Sequence, residues 1–321
     1  MRIAVTGSIA TDYLMTFQGR FADLLSAGRA GRVALSYEVH SLDVRRGGVA
    51  ANIAFGLARL GLRPLLVGAV GNDFADYRSW LERHGVDTSG VRESRTRHTA
   101  RSMSTTDADQ NKIASFYAGA MAEAREIELA SFRGIDLVVV SPNDPEAMLR
   151  HTAECRARGI RFAADPSQQL VRLDGPRVRA LIDGAAYLFG NAYERGLCAQ
   201  KTGWSDAQIL GRVGVRVTTL GSAGVVLDRA GSGPLRVPAV RADTAVDPTG
   251  AGDAFRAGFL AATAWGLGLE RAAQVGGLVA VHAVETVGGQ GYVWRRHSFL
   301  TRMRQSYGDG AAAEVAACLE P

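Results

Sequence analysis

Cysteine and lysine are scarce in this sequence, and no long hydrophobic run occurs. The three cysteines, Cys155, Cys198 and Cys318, are far apart and form no C-x-x-C pair, so neither a disulfide framework nor a zinc site is expected. The most apolar stretches, such as residues 278–284, extend over only a few residues, whereas a membrane-spanning helix needs about 20. The amino terminus shows no signal-peptide pattern. These absences predict a protein of the reducing cytosol that has no membrane partner.

Basic charge is spread along the chain. The 321 residues carry a net charge of +5 and a pI of about 9.4, which raises the hypothesis of a nucleic-acid-binding protein. Only two of the 37 basic residues are lysines, and the arginines are scattered. The one dense patch, Arg295, Arg296, Arg302 and Arg304, is interpreted as a solvated helix face. No nucleic-acid partner is therefore expected.

Apolar runs of strand length alternate with helical patterns along most of the chain. Strands are predicted at residues 135–140, 160–164, 186–189 and 215–220, and helices at 144–158 and after Pro176, Asn191 and Ser205. This alternation predicts an α/β fold of three layers, in which a central, mostly parallel sheet has helices on both faces. Ligands of such a sheet bind at the carboxyl ends of its strands, and the glycine-rich and polar motifs occur there.

The most informative motif is Asp247-Pro-Thr-Gly-Ala-Gly-Asp253 at the start of a predicted helix. Gly250 and Gly252 remove side chains where the chain enters the helix, so successive amide N–H groups can face an anion, and the helix dipole adds positive charge. Asp253 in the first turn could accept a proton from a hydroxyl while the amides of Ala251, Gly252 and Asp253 hold a phosphoryl group. A plain helix cap is the alternative for an isolated Asp beside glycines.

Three further segments carry glycine or paired polar residues. They are Gly47-Gly-Val-Ala-Ala-Asn52, Asn191-Ala-Tyr-Glu194 and Thr219-Leu-Gly-Ser-Ala-Gly224. Taken singly, the first and third are turn sequences, and the second is a capping box. No P-loop and no G-x-G-x-x-G opens a βα unit, so phosphate charge would have to be met by backbone amides, magnesium and an arginine.

Together these motifs resemble the signatures of the ribokinase-like, or PfkB, carbohydrate and purine kinases. The resemblance covers almost the whole chain and is greatest to adenosine kinases of the actinobacterial type. It implies a ribokinase-like fold, ATP as donor, Mg²⁺, and Asp253 as general base beside an anion hole formed by Gly250, Ala251 and Gly252. It also implies binding residues for the acceptor, Ser8, Asp12, Gly48, Asn52, Phe116, Gln168 and Gln169, and for the donor, Asn191, Glu194, Thr219, Gly221, Ser222 and Gly224. Glu194 would hold Mg²⁺ through water, and Asp247 and Thr249 would hold a monovalent cation such as K⁺.

Residues 11–46 and 96–118 interrupt the α/β pattern. Residues 98–106 and 113–117 have β character with interleaved polar residues, which predicts a small sheet outside the main one. We interpret 11–46 and 96–118 as a β lid and residues 1–10, 47–95 and 119–321 as the core, since a transferase needs a lid that excludes water. The edge strands of such a lid favour pairing with a second copy, giving a homodimer.

The resemblance implies phosphorylation of the adenosine 5′-hydroxyl to AMP, a reaction of purine salvage. One departure affects the acceptor, because Ser102 stands where relatives carry a second aromatic, so that one face of the base would lose its stacking partner. The segment Gly288-Gly-Gln-Gly-Tyr292 resembles a rearranged form of the family's loop near the donor adenine. The alternatives are a kinase of ribose or another furanose, and a catalytically silent nucleoside-binding protein.

Overall fold

Two β-sheets organise the chain in a computed structural model that describes residues 1–26 and 36–319. In chain order the strands of the described residues are β1 (Ile3–Thr6), β2 (Ala10–Thr16), β3 (Ser41–Gly47), β4 (Leu65–Val70), β5 (Asp87–Glu93), β6 (Ala100–Thr106), β7 (Lys112–Tyr117), β8 (Leu137–Val140), β9 (Arg161–Ala164), β10 (Tyr187–Asn191), β11 (Val215–Thr219), β12 (Val225–Asp228) and β13 (Leu235–Val237).

The helices flank the larger sheet, apart from the first, which contacts the smaller sheet's loop at Asp107. In chain order the α-helices of the described residues are α1 (Phe21–Ser26), α2 (Val49–Arg59), α3 (Ala75–Arg83), α4 (Pro145–Ala157), α5 (Gln169–Arg172), α6 (Gly175–Ile182), α7 (Ala192–Thr202), α8 (Asp206–Leu210), α9 (Ala251–Ala264), α10 (Leu269–Val284), α11 (Arg296–Tyr307) and α12 (Asp309–Ala316). Short 3₁₀ turns are found at Gly119–Glu126, Leu129–Ser131 and Gly221–Ala223.

The larger sheet has the order β13-β12-β11-β10-β9-β8-β1-β4-β5 and is parallel except for β12 and β13. Successive strand side chains point to opposite faces, so Ile3 and Val5 join one hydrophobic core while Ala4 joins the other. Helices α2, α9 and α10 cover the first face, and α4, α6 and α7 the second. The predicted three-layer α/β architecture is confirmed, and the carboxyl ends of β1, β8 and β9 meet at one edge.

Local sequence explains where the helices start. Asp144 caps α4 by accepting from the amides of Glu146 and Ala147, with Pro145 at the first helical position. Helix α9 differs, because its N-cap residue is Gly250, which has a φ of 77° and no side chain to satisfy the first amides. Orphan N–H groups at a helix start need another partner. The amino end of α9 is therefore available to an anion.

The second sheet has four strands in the order β3-β2-β6-β7. Strands β2 and β3 come from the first segment interpreted as lid and β6 and β7 from the second, so the predicted small sheet built from two separated segments is confirmed. We call this sheet the lid sheet. Residues 27–35 of the predicted lid lie outside the described residues, and the proposed division at residues 10, 46, 95 and 118 stays a prediction.

Three of the four arginines in the patch near the carboxyl terminus are paired within the protein. Arg302 bonds both carboxylate oxygens of Glu285, at 2.6 Å each, and Arg304 bonds Asp309 at 2.7 Å. Arg296 donates to carbonyls at and beyond the end of α12. Guanidinium groups engaged in this way are poorly placed to meet a phosphate backbone, which weakens the nucleic-acid hypothesis. No helix in the described ranges is long and apolar enough to cross a membrane.

Candidate active site

The start of α9 presents free backbone amides at the carboxyl edge of the large sheet. Gly250 tolerates its φ of 77° because it lacks a Cβ, which would lie 2.6 Å from the Cα of Gly289. In the described part of the chain the amides of Gly252 and Asp253 have no protein acceptor, whereas the Ala251 amide donates to the carbonyl of Pro248 at 3.2 Å. Two of the three amides predicted to hold a phosphoryl group are therefore free in this conformation, and the turn that enters the helix engages the third.

Asp253 lies beside residues 47–52, which we call the double-glycine segment after Gly47 and Gly48. Its Oδ2 accepts from Nδ2 of Asn52 at 2.9 Å, and among the described residues its Oδ1 has no donor. Burial raises the pKa of the Asp253 carboxyl to about 7, against the opposing effects of the Arg256 charge and the Asn52 hydrogen bond. An acid with that pKa exchanges a proton near neutral pH, as a general base must.

The double-glycine segment closes the other side of the site. Gly48 has a φ of 95°, and a Cβ on it would lie 2.6 Å from the carbonyl oxygen of Ser8, so only glycine lets the two loops approach. The Ser8 hydroxyl accepts from the amide of Val49 at 3.0 Å, and Asn52 is buried one turn later in α2. Three predicted acceptor residues, Ser8, Gly48 and Asn52, are thus brought together next to Asp253.

Asp12, Ser102 and Phe116 form one row across the lid sheet. Asp12 pairs with Ser102, and Ser102 with Phe116, so the three side chains project from the same face. Burial raises the pKa of Asp12 to about 6, and the charge of Lys112 opposes the shift. The Asp12 carboxylate lies against Gly47, where a Cβ would be 2.2 Å from Oδ2, so this end of the row is next to residues 47–52. Phe116 is half-exposed, as an aromatic awaiting a ligand would be.

The two glutamines predicted near the acceptor differ in their surroundings. Gln169 is buried, its Nε2 donates to the carbonyl of Asn143 at 2.8 Å, and its Oε1 has no partner among the residues that the structure describes. Gln168 precedes α5 and is exposed. Only Gln169 is therefore built into the edge formed by the ends of β8 and β9.

A cavity of about 570 Å³ lies beside the amino end of α9. Its lining is mostly apolar. It includes four predicted donor-binding residues from the turn at 219–224 and two residues of the anion hole: Thr219, Gly221, Ser222, Gly224, Ala251 and Gly252. Gly224 is required in this turn, because it has a φ of 92° and a Cβ would meet the Val237 carbonyl at 2.2 Å. A nucleotide base in the cavity would place its phosphates toward the free amides.

Asn191 and Glu194 form a complete capping box. The Asn191 side chain accepts from the Glu194 amide at 2.9 Å, and Oε2 of Glu194 accepts from the Asn191 amide at 2.8 Å. Oε1 of Glu194 has no protein partner in the described ranges. One free carboxylate oxygen with water and donor phosphates is an arrangement that Mg²⁺ commonly takes. Glu194 therefore fits the predicted role, and no cluster of three or more metal ligands exists in the described ranges.

Asp247 is fixed by backbone amides on both of its oxygens. Thr249 donates to Oδ1 and Gly288 to Oδ2, each at 2.9 Å. Burial opposes ionisation of Asp247, but the hydrogen bonds from Thr249 and Gly288 outweigh it and lower the pKa. The ionised carboxylate and the Thr249 hydroxyl suit a monovalent cation, and the nearby Arg45 charge would compete with it.

The structure adds residues that sequence reasoning missed. Arg256 is buried and bonds Asp165 at 2.6 Å, which places a guanidinium beneath the anion hole. Its position one helical turn beyond Gly252 was a usable signal, because residues four apart share a helix face. Gln290 contacts Asn52, so the segment Gly288–Tyr292 lies on the acceptor side of α9 and does not line the cavity beside Thr219, where its resemblance to a donor-adenine loop would have put it.

The arrangement of these motifs agrees with comparisons of the whole chain. The sequence matches the pfkB family carbohydrate kinases over residues 4–295. The chain belongs to this family. It is accordingly a PfkB phosphotransferase of the nucleoside and carbohydrate kinase type with a ribokinase-like fold.

Named relatives of this PfkB protein include kinases of two acceptor classes. It is 30% identical to the nucleoside kinase of Methanocaldococcus jannaschii over 257 residues, which covers 79% of this chain and 84% of the relative. It is 28% identical to the ribokinase of Bacillus subtilis over 90% of this chain and 94% of the relative. The structure of Burkholderia thailandensis nucleoside kinase in complex with inosine superposes with a TM-score of 0.86 at 33% identity, covering 96% of this chain and 98% of that one. The same kinase is also known in complex with ADP-inosine.

Proposed function

We propose that this PfkB protein is an ATP-dependent and Mg²⁺-dependent nucleoside kinase that phosphorylates the 5′-hydroxyl of adenosine. The observation that carries the proposal is the row of Asp12, Ser102 and Phe116 on one face of the lid sheet, with Asp12 against Gly47. Asp12 and Phe116 are two strand spacings apart, about 10 Å. A nucleoside, whose flat base extends from its sugar, can contact both side chains at once, whereas a free furanose is too short.

The proposed chemistry assigns a step to each group around the amino end of α9. Asp253 Oδ1 accepts the proton of the 5′-hydroxyl, the hydroxyl oxygen forms a bond to the γ-phosphorus, and the bond to the ADP oxygen breaks. The amides of Gly252 and Asp253 donate to the oxygens of the phosphoryl group in transfer. Mg²⁺ held at Glu194 would offset phosphate charge. Because the transition state is loose, positioning and charge contribute more than the strength of the base.

Steady-state ADP release with adenosine, inosine and ribose as acceptors tests this assignment. We expect kcat/KM to be highest for adenosine and lowest for ribose. Phe116→Ala should reduce kcat/KM for both nucleosides about fivefold or more, since one aromatic stacking contact is worth about 1 kcal/mol or more, and leave kcat/KM for ribose unchanged. Ser115→Ala, on the opposite face of the same strand, is the control. Equal use of ribose and nucleosides would favour the sugar kinase, and binding without turnover the silent sensor.

The edge strands of the lid sheet motivate a proposal on assembly. We propose a homodimer through the lid sheet, whose face opposite Asp12 carries exposed apolar side chains on both edge strands: Leu42, Val44, Ile113 and Tyr117. Apolar edge strands favour association. Val44→Glu should convert a dimer to a monomer in light scattering, and a wild-type monomer at micromolar concentration would refute the proposal. The cytosolic location stays a prediction from cysteine usage.

A further inference from the structure

A chain of hydrogen bonds leads from the surface helix α3 to Asp253. The indole Nε1 of Trp80 donates to Oε1 of Gln290 at 3.0 Å, and Nε2 of Gln290 donates to Oδ1 of Asn52, also at 3.0 Å. Asn52 Nδ2 then donates to Oδ2 of Asp253 at 2.9 Å. Asn52 and Gln290 are 6% and 7% exposed, so an unpaired amide group in this chain would be costly.

The direction of this chain is decided at its outer end. An indole N–H can only donate, so Trp80 fixes the Gln290 oxygen toward itself and the Gln290 nitrogen toward Asn52. The Asn52 oxygen then faces Gln290, and the Asn52 nitrogen faces the carboxylate. If the Asn52 amide rotated by half a turn, two acceptors would meet at Asp253 and two donors at Gln290.

The remaining hydrogen of Gln290 is also used. Nε2 donates to the Tyr77 hydroxyl, which in turn donates to the carbonyl of Gly47 at 2.9 Å. Tyr77 and Trp80 are three residues apart in α3 and therefore share one helix face. Gln290 thus has both amide hydrogens and its oxygen engaged, and it connects α3 with both ends of the double-glycine segment, Gly47 and Asn52.

Backbone geometry admits Gln290 to this position. The preceding Gly289 lies against the Asn52 amide, where a Cβ would be 2.7 Å from Nδ2. Gly288 donates its amide to Asp247 and has a φ of 78°. Two glycines therefore let the loop after α10 approach α2 closely enough for the glutamine to reach its three partners.

We propose that Gln290 is a positioning residue of the active site, whose amide, oriented by the indole of Trp80, keeps the Asn52 nitrogen facing the Asp253 carboxylate. The inference rests on the proposed role of Asp253 as general base. A hydrogen bond donated to a carboxylate favours its ionised form. The chain of hydrogen bonds from Trp80 through Gln290 and Asn52, which we call the relay, therefore keeps Asp253 deprotonated at lower pH than burial alone would allow. Oδ1 of Asp253 is left for the substrate hydroxyl.

The pH dependence of kcat/KM in Gln290→Met and Trp80→Phe tests this inference. Trp80→Phe removes the indole donor but keeps an aromatic ring against Phe55 and Arg46. In Gln290→Met we expect the acidic limb of the curve of kcat/KM against pH to move up by about one pH unit, since a hydrogen bond to a charged group has that order of effect. Activity then falls about tenfold at pH 6 and recovers at pH 9. Trp80→Phe should give a smaller shift in the same direction.

Gln274→Met is the matched control, because Gln274 is also a buried glutamine, 5% exposed, and its side-chain partners among the described residues are Arg271 and Glu270 on its own helix. It should leave the acidic limb in place. A folded Gln290→Met protein with an unmoved limb, or a loss that is uniform at all pH values, would overturn the inference. Thermal melting identifies variants that fail to fold, and Trp80→Phe, the milder change, then decides.

Carbon-13 NMR titration of labelled aspartates separates this inference from the proposed function. The Asp253 signal is assigned by its loss in Asp253→Asn. An upward shift of the Asp253 titration in Gln290→Met supports the relay, and where Asp253→Asn retains turnover this titration, not the acidic limb, decides. An unshifted titration overturns the relay alone, whereas full turnover in Asp253→Asn overturns the role of the base and leaves the relay intact.

Discussion

Nη1 of Arg256 lies 2.8 Å from the point that a Cβ on Gly252 would occupy. The guanidinium is held from behind by Asp165 at 2.6 Å and by Ser167 at 3.3 Å. Gly252 therefore has two roles at the anion hole, since its amide is free for a phosphoryl oxygen and its missing side chain makes room for a buried cation directly beneath. A positive charge at this point favours an anion gathering at the helix start.

Gly252→Ala should reduce turnover by about 10²-fold, because the added methyl displaces the Arg256 guanidinium and narrows the phosphoryl site. Melting temperature should change little. Gly196→Ala is the control, since Gly196 lies within α7 and a Cβ there meets nothing within 4 Å; the change should stabilise by about 0.4–1 kcal/mol and leave turnover unaltered. Wild-type turnover in Gly252→Ala would show that Arg256 does not support the anion hole.

Asp253→Ala should lower kcat about 10²- to 10⁴-fold with folding retained, because the general base is lost while the amides and the cavity remain. In the wild type, activity should rise through pH 7, since the pKa of Asp253 is raised to about 7 and the base must be ionised. Rapid-quench and steady-state rates from pH 5 to 9 measure both effects. Asp109→Ala, on the distant surface turn between β6 and β7, serves as control.

The same carboxyl makes stability depend on pH in a direction opposite to that of activity. Its pKa is about 7 in the folded chain and near 3.8 when unfolded, so between these values the folded state holds the extra proton. The contribution of this carboxyl group to the free energy of unfolding is thus fully present below pH 3.8 and is lost as the pH rises through 7. Asp253→Asn should therefore raise the melting temperature at pH 8 and change it little at pH 5. A gain independent of pH would contradict the raised pKa.

Much of this site could be predicted because the motifs are local. The segment Asp247–Asp253 specifies its own helix start, since the glycines remove the cap and the Asp falls in the first turn. The paired strands of the lid were predictable from alternating polarity, and their two-segment origin was confirmed. The resemblance to family signatures implied that Asn52 binds the acceptor, but its bond to Asp253, 201 residues away, was not predicted.

What sequence reasoning missed depends on contacts between distant segments. Gln290 and Trp80 are 210 residues apart. Trp80 stands in no motif, and the segment that contains Gln290 resembled a loop near the donor adenine, which did not indicate a contact with α3. The free amides at Gly252 and Asp253 were expected, but the Ala251 bond to Pro248 depends on the turn that the loop adopts. Buried ion pairs such as that of Arg256 with Asp165 likewise cannot be predicted from sequence, because only tertiary packing brings their helix and strand together.

Ser102→Phe tests the base-binding face of the lid sheet. An aromatic between Asp12 and Phe116 would offer the base a second ring, so KM for adenosine should fall about fivefold, equivalent to about 1 kcal/mol. KM for ribose should not change, because a furanose bound near Asp12 does not reach a base site. Met103→Phe, next in the strand and on the opposite face, is the control. A fall in KM that is equal for ribose and adenosine would rule out base stacking.

Asp247 offers a test of cation activation. Its ionised carboxylate, oriented by the amides of Thr249 and Gly288, is expected to bind K⁺ near the anion hole and so strengthen the field at the phosphoryl group. Turnover should be several-fold higher in potassium chloride than in tetramethylammonium chloride at equal ionic strength. Arg45→Met should lower the K⁺ concentration for half-activation, because the competing guanidinium is removed, and Asp247→Asn should abolish the difference between the salts. Equal wild-type rates in the two salts would mean that Asp247 serves only to hold the loop at Gly288.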